Sequence, residues 1–391
     1  MLIRRIKLSN ILSFGPDVQE LELKPLNVLI GPNGSGKSNV LEAIRLLQAA
    51  PTDLAAPIRE GGGISDWIWK GKPAAASLRI EVILTNPRGQ PLRYHLSFAE
   101  RGQRFELIEE KITNEQPLPG HDKPYIYYEF SGGKATLNYR DTESKGKDRE
   151  LRLEEVDPTQ STLAQHKDPH HYPELTYLGR ELGRMRLYQE WSFGRYTPPR
   201  MPQKPDLPND FLTEDGKNLG LVLNRMMGDV EVKQRLISAL RNLYEGVSDF
   251  HVNIDFGTVQ VFLHEGAITV PATRLSDGTL RYLCLLAILC HPAPPPLVCL
   301  EEPELGLHPD IIPGLSELLK EASQRCQLIV TTHSDTLVDA LTDIPESIII
   351  CEKNNGQTTL RRLNKEEISH WLDQYRLGEL WSSGELGGNR W

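Results

Sequence analysis

The sequence predicts an α/β fold with a mixed central sheet, an antiparallel β-meander lobe and an inserted helical lobe, without a long coiled coil. Three observations predict it. A short apolar run, Asn27–Ile30, lies between Pro25 and Gly31 and passes through a glycine-punctuated loop into Asn39–Leu47, whose apolar residues fall at helical spacing. Segments between residues 78 and 139 alternate apolar and polar residues and are separated by turn sequences. Towards the C-terminus, Leu297–Leu300, Leu328–Thr332 and Ser347–Cys351 read as further buried strands.

Composition narrows the class. At 391 residues the chain makes one large domain or two to three ordinary ones, and 39% hydrophobic with 25% charged residues describes a globular protein with a sizeable core. A net charge of −9 argues against a broadly basic surface that coats nucleic acid, although it leaves room for a local basic groove. The longest apolar runs, such as Tyr282–Cys290, are too short to span a bilayer, and MLIRRIKLSN lacks a signal-peptide core. A cytoplasmic protein without a membrane partner is the expectation. Five cysteines without C-x-x-C pairing read as core thiols, and eleven histidines without H-E-x-x-H offer no zinc motif.

Taken in order, Leu2–Leu8 and Val18–Leu23 alternate and lead into the strand at Asn27. Ala49–Lys72 is a loop whose Gly61–Gly62–Gly63 reads as a surface turn. The meander comprises Leu78–Leu84, Leu92–Phe98, Phe105–Ile112, Tyr125–Phe130 and Ala135–Tyr139, with hairpin signals at Asn86–Gly89 and Gly132–Gly133. Charge-dense Asp141–Glu155 reads as a mobile loop. His171–Trp191 reads as helical, Ser192–Asn209 as a semi-rigid proline-rich connection, and Asn218–Tyr244 as helical with a break near Gly228–Asp229. The expected lobes are 1–165, 166–270 and 271–391, together one composite domain. Arg180, Arg184, Arg186, Arg195 and Arg200 face only Glu181 and Glu190 in the same stretch. The ordinary meaning is a solvated or salt-bridged face, and the sharper alternative is a phosphate-contacting surface.

Four stretches carry chemistry. Gly31, four residues, then Gly36–Lys37–Ser38 is a P-loop, framed by the strand and helix such a loop requires. Its glycines turn backbone N–H groups inward onto phosphates, Lys37 reaches the β- and γ-phosphates, and the Ser38 hydroxyl holds Mg²⁺. Asn33, Gly34, Ser35, Gly36, Lys37, Ser38 and Asn39 are the candidate nucleotide-binding residues. Leu275–Thr279 opens an apolar helix, so Ser276, Asp277 and Gly278 offer a second set of N–H donors to an anion, or simply cap the helix. The run Leu297–Leu300 ends in Glu301–Glu302, where open α/β sheets place ligands. Glu301 suits Mg²⁺, and Glu302 suits a general base for an attacking water. His333 ends the next strand and suits a γ-phosphate sensor.

With these residues in order, the chain resembles a P-loop NTPase of the ABC type: a RecF/SMC-like ATPase head, similar to the compact ATPases of bacterial DNA repair and anti-phage defence such as the Septu and PARIS ATPase subunits. GPNGSGKS at Gly31–Ser38 is similar to the Walker A motif, and LSDGT at Leu275–Thr279 to the ABC signature. LVCLEEPE at Leu297–Glu304 resembles Walker B with its catalytic Glu302, LGLHP at Leu305–Pro309 the D-loop, and TTHSD at Thr331–Asp335 the His switch. Glu301 stands where the family usually has aspartate. The family's Q-loop glutamine has no clear motif, and Gln165 is the candidate for this third metal-side residue.

The resemblance implies an enzyme that uses ATP and Mg²⁺ and forms a homodimer or higher oligomer around two nucleotides. Ser38 and Leu275 are 275 − 38 = 237 positions apart, and each of their motifs presents half of a phosphate cage. It further implies a sensor, regulator or motor for a separate DNA-directed effector such as a nuclease, with nucleic acid as an open partner. The competing readings are the ATPase subunit of a membrane transporter and a slow-turnover, ATP-bound scaffold that holds a toxic effector. The long meander between Walker A and the signature separates the chain from the transporter pattern.

Overall fold

A computed structural model describes residues 1–17, 19–71, 77–139, 147–151, 156–242, 246–372 and 374–387. Among them the strands form sheets of eight, six and three.

The six-stranded sheet carries the chemistry. Its order is Arg186–Tyr188, Leu297–Glu301, Gln327–Thr331, Leu26–Ile30, Ile348–Asn354 and Gln357–Arg362. The first five run parallel and the last is antiparallel. Parallel strands are covered on both faces, which is why these read as unbroken apolar runs. Alternate residues serve different cores: Val28, Ile30, Val298, Leu300, Leu328 and Val330 join one apolar cluster. Leu29, Leu297, Cys299 and Ile329 join the other. All five cysteines are buried and unbridged.

The eight-stranded sheet is antiparallel: Gln19–Glu22, Ile3–Ser9, Leu78–Leu84, Leu92–Arg101, Arg104–Asn114, Ile126–Ser131, Lys134–Tyr139 and Lys147–Leu151. The meander matches its expected hairpins, and no described helix exceeds the 13 residues of Lys37–Ala49 and Asp277–Leu289, so no long coiled coil exists among the described residues. The fully buried Gln327 side chain ties the two large sheets, accepting from Ile3 N at 2.8 Å and donating to Ile3 O at 2.7 Å.

Three expectations are corrected. Within Asp141–Glu155, Lys147–Leu151 is a strand, while 141–146 and 152–155 lie outside the described residues. His171–Trp191 is not one helix: Pro173–Gly183 ends at Gly183, and Arg186–Tyr188 becomes the edge strand beside Leu297–Glu301. The helical and proline-rich reading of 166–270 omitted a three-stranded antiparallel sheet, Val247–Asp255, Thr258–Glu265 and Ile268–Pro271, which leads directly into Leu275–Thr279. No described helix is long and apolar enough to cross a membrane.

Candidate functional site

The P-loop is shaped by backbone that only glycine adopts without strain. Gly31, Gly34 and Gly36 have φ of +147°, +77° and +102°. A Cβ at Gly31 or Gly36 would also lie 2.2 Å from Cys351 O or Thr358 Oγ1, whereas Gly34 faces open space. Gly36 starts helix Lys37–Ala49 with no side-chain cap, so the N–H groups of the first turn remain directed outward, as an anion site needs. Lys37 is buried, and its ammonium donates to Gly31 O at 2.9 Å and Pro32 O at 3.1 Å. Asn33 is exposed at the tip, and the buried Ser35 Oγ has no hydrogen-bond partner in the fold. The loop is braced from behind. Asn39 Nδ2 donates to Ser13 Oγ at 2.7 Å, Ser13 Oγ lies 2.6 Å from Thr358 Oγ1, and Thr358 donates to Ser35 O at 2.8 Å.

The strand ends then converge on this loop. The Ser38 hydroxyl donates to Glu301 Oε1, so the longer side chain in place of aspartate does reach the P-loop serine. Glu302 follows with φ +43°, a left-handed backbone unusual for a branched-chain-free but bulky side chain and a marker of local strain. That backbone is held by its N–H on Thr331 O at 3.0 Å and by Arg281, whose guanidinium donates to Glu302 O at 3.0 Å. The Glu302 carboxylate lies 3.6 Å from His333 Nε2. Beneath them Glu304 is buried. Its Oε1 accepts from Thr332 Oγ1 at 2.5 Å and His333 N at 3.2 Å, its Oε2 has no partner, and burial holds its carboxyl above the ordinary range.

Sequence reasoning missed Gln189, which directly follows the edge strand Arg186–Tyr188. Its Oε1 accepts from Arg45 Nε at 2.9 Å and its Nε2 donates to Glu42 Oε1 at 3.1 Å. Ser38, Glu42 and Arg45 are spaced i, i+4, i+7, one face of the P-loop helix, so Gln189 sits on the Ser38 side of it. The signal that exposes Glu301 and His333, a polar side chain closing an apolar run, is missing here because the strand before Gln189 is only three residues long. Gln165 is placed differently. It is half-buried, its Oε1 accepts from Asp157 N at 3.1 Å, and its Nε2 donates to Gln160 O at 3.1 Å, so its carboxamide is engaged in its own turn rather than with Ser38 or Glu301.

The signature stands apart. Ser276 caps helix Asp277–Leu289 by accepting from Thr279 N at 3.1 Å, and Ser276 and Asp277 are exposed. Gly278 packs on the D-loop so closely that a Cβ would meet Gly306 O at 2.6 Å. Arg200 anchors this segment. Only 6% exposed, it donates to Leu275 O, to Phe193 O at 3.0 Å and to Asp277 Oδ1 at 2.6 Å. Trp191 Nε1 donates to Glu301 O at 3.0 Å, and the Arg281 guanidinium lies 5.3 Å and 5.4 Å from the Trp191 and Phe193 rings. The connection after Gln189 therefore touches Walker B at one end and the signature at the other.

This disperses the arginine cluster. Arg200 is interior, Arg180 donates to Glu181 at 2.9 Å, and Arg184 and Arg186 lie over the Phe211 ring at 5.6 Å and 5.7 Å. The five do not form one cationic face.

A family profile described as "AAA domain, putative AbiEii toxin, Type IV TA system" matches residues 26–339. A crystal structure of an Smc head bound to the C-winged helix domain of ScpA is similar at a TM-score of 0.59 and 14% identity, covering 93% of this chain and 99% of that one. An Smc head with an extended coiled coil, bound to the C-terminal domain of ScpA from Pyrococcus furiosus, gives 0.60 and 14%, covering 95% and 98%. The chromosome partition protein Smc of Bacillus subtilis (strain 168) is 27% identical over 142 residues, 35% of this chain and 12% of that protein's length. The Smc heads share the fold. On the profile match over most of its length, the chain belongs to the AAA family described as putative AbiEii toxin, as a compact RecF/SMC-like P-loop ATPase of the ABC type.

Proposed function

We propose that the chain binds and hydrolyses ATP with Mg²⁺ at a composite site between two copies, and that this cycle gates a separate DNA-directed effector in anti-phage defence or DNA repair. The carrying observation is the meeting of Ser38 with Glu301 and of Glu302 with His333 at the ends of adjacent parallel strands. Triphosphate fits the residues present: three left-handed glycines, an uncapped helix start, the partnerless Ser35 Oγ, and Lys37 resting on two loop carbonyls. Ser38, Glu301 and Gln189 are the side chains that would hold Mg²⁺, which when bound neutralises charge on the β- and γ-phosphates. Glu302 accepts the proton of the attacking water, and His333 orients that carboxylate and donates to the γ-phosphate. Ser276 and Asp277 are exposed at the start of their helix, so the first-turn N–H groups that the Ser276 hydroxyl leaves uncapped complete the cage of a second copy. The ScpA partners of the similar Smc heads support a head that passes its state to another protein.

The test compares the parent protein with Glu302→Gln. ATP binding retained with turnover lowered by roughly three orders of magnitude or more is expected, because the acceptor of the water proton is removed and the fold is not. Parent-level turnover in the variant removes Glu302 from the role. Co-purification of a tagged chain from its host tests the effector: a soluble nuclease supports the gating reading, and a membrane permease contradicts it.

A further inference from the structure

Glu302 holds a backbone conformation that its own sequence resists. Its φ of +43° is left-handed, and Pro303 follows, which narrows the residue before it towards extended backbone. Such a residue persists only where its surroundings hold it. On its amide side the neighbouring strand does so, with Glu302 N on Thr331 O at 3.0 Å. On its carbonyl side a side chain takes over, and Arg281 donates to Glu302 O at 3.0 Å.

Arg281 is a demanding choice for holding one carbonyl. It is 7% exposed, and its one side-chain hydrogen bond among the described residues is to that carbonyl and not to a carboxylate. Burying a guanidinium carries a large desolvation cost, which stacking only partly offsets. The stacking is present: the guanidinium lies 5.3 Å and 5.4 Å from the Trp191 and Phe193 ring centroids, and those rings stack on each other at 5.7 Å. Trp191 Nε1 donates to Glu301 O at 3.0 Å, so two neighbouring side chains serve the consecutive carbonyls of Glu301 and Glu302. An apolar side chain would fill the same slot. What the guanidinium adds is the fixed backbone of Glu302.

The position of Arg281 gives this contact its meaning. It lies on helix Asp277–Leu289, whose exposed start serves a second copy in the reading above. We propose that Arg281 is a positioning residue for the general base of its own chain. It fixes the Glu302 backbone, and with it the carboxylate that faces the attacking water, while the start of the same helix serves the nucleotide of the other copy. The proposal rests on the ATPase reading and on Glu302 as its base.

The test uses the full chain. Arg281→Met keeps a flexible apolar side chain between the two rings and removes the donor, and Arg281→Lys returns a cation and a donor without the planar fork. Expected in Arg281→Met is ATP affinity within about twofold of the parent and ATP-dependent pairing retained in the ultracentrifuge, with kcat lowered roughly tenfold to a hundredfold. Arg281→Lys restores part of that loss, and it carries the test if the methionine variant does not fold. Parent kcat in both variants, beside an inactive Glu302→Gln, overturns this proposal alone, whereas parent-rate turnover in Glu302→Gln overturns the ATPase reading itself. Loss of ATP-dependent pairing also overturns the proposal, because the arginine then supports the signature. A mixed pair of Ser276→Arg with Lys37→Ala locates the effect. There the first chain supplies the P-loop and Glu302, and the second supplies only the signature. The loss should follow Arg281→Met in the first chain and not in the second; the opposite pattern assigns Arg281 to the signature and overturns the proposal.

Discussion

One buried carboxylate lies within the antiparallel sheet and another just past a strand end of the parallel one, and the two are treated differently. In the antiparallel sheet Glu110 is fully buried, and its two oxygens accept from Tyr94 OH at 2.8 Å, Ser161 Oγ at 2.5 Å and Thr162 N at 2.8 Å. Just beyond the parallel strand Leu297–Glu301, Glu304 has one oxygen served by Thr332 and His333 and one with no partner, under an edge of exposed or half-buried Ser38, Glu301, Glu302 and His333. A closed polar network holds a fold together; an open one at strand ends is where chemistry is done. The same contrast separates the two halves of the phosphate cage. The P-loop half is linked within the chain through Ser38 and Glu301, and the signature half presents Ser276 outward.

The largest expected effect tests the outward half. Ser276→Arg places a bulky cation at an exposed helix cap, so folding and nucleotide binding at the P-loop should persist while turnover falls to background. Parent-rate hydrolysis in this variant would reduce Leu275–Thr279 to a helix cap.

Next comes the anchor of that half. Arg200→Ala removes donors from buried Phe193 O and Leu275 O and frees Asp277, which at about 1–3 kcal/mol per stranded buried acceptor amounts to several kcal/mol of unfolding free energy. Denaturant melts of the variant measure this. A loss under about 0.5 kcal/mol would mean that Arg200 is replaceable by solvent.

The closed network gives a smaller, pH-dependent effect. Burial raises the Glu110 carboxyl to about 7, against 4.5 for the exposed group. A raised carboxyl favours the folded state below the unfolded value, and that contribution is lost as pH rises from about 4.5 through about 7. The loss approaches about 3 kcal/mol. Glu110→Gln should therefore be less pH-sensitive than the parent between pH 5 and 8, with the gap closing at acid pH. Parallel stability curves would contradict the sign.

How much of this was legible follows from residue chemistry. The P-loop, Glu301–Glu302 and His333 were readable because each polar group closes an uninterrupted apolar run, and buried parallel strands leave that trace. Arg186–Tyr188 was not, because three residues carry no period and Gly183 ends the helix just before them. Gln189 was lost with it. The hairpin at Asp255–Thr258 was hidden for a different reason: Phe256 and Gly257 both have positive φ, at +45° and +74°, and the first of these positions ordinarily advertises itself with Asn, Asp or Gly. The arginines between 180 and 200 looked alike in sequence, and only packing separates the interior Arg200 from the rest.

The most direct measurement mixes Ser276→Arg with Lys37→Ala, two variants that are each expected to be inactive. If the signature of one copy serves the P-loop of the other, a mixed pair contains one cage built from two intact halves and one built from two damaged halves. ATP turnover should then recover on mixing, peaking near equal amounts of the two. Turnover that stays at background at every ratio, while analytical ultracentrifugation shows the two variants pairing in ATP, would contradict a site shared between copies.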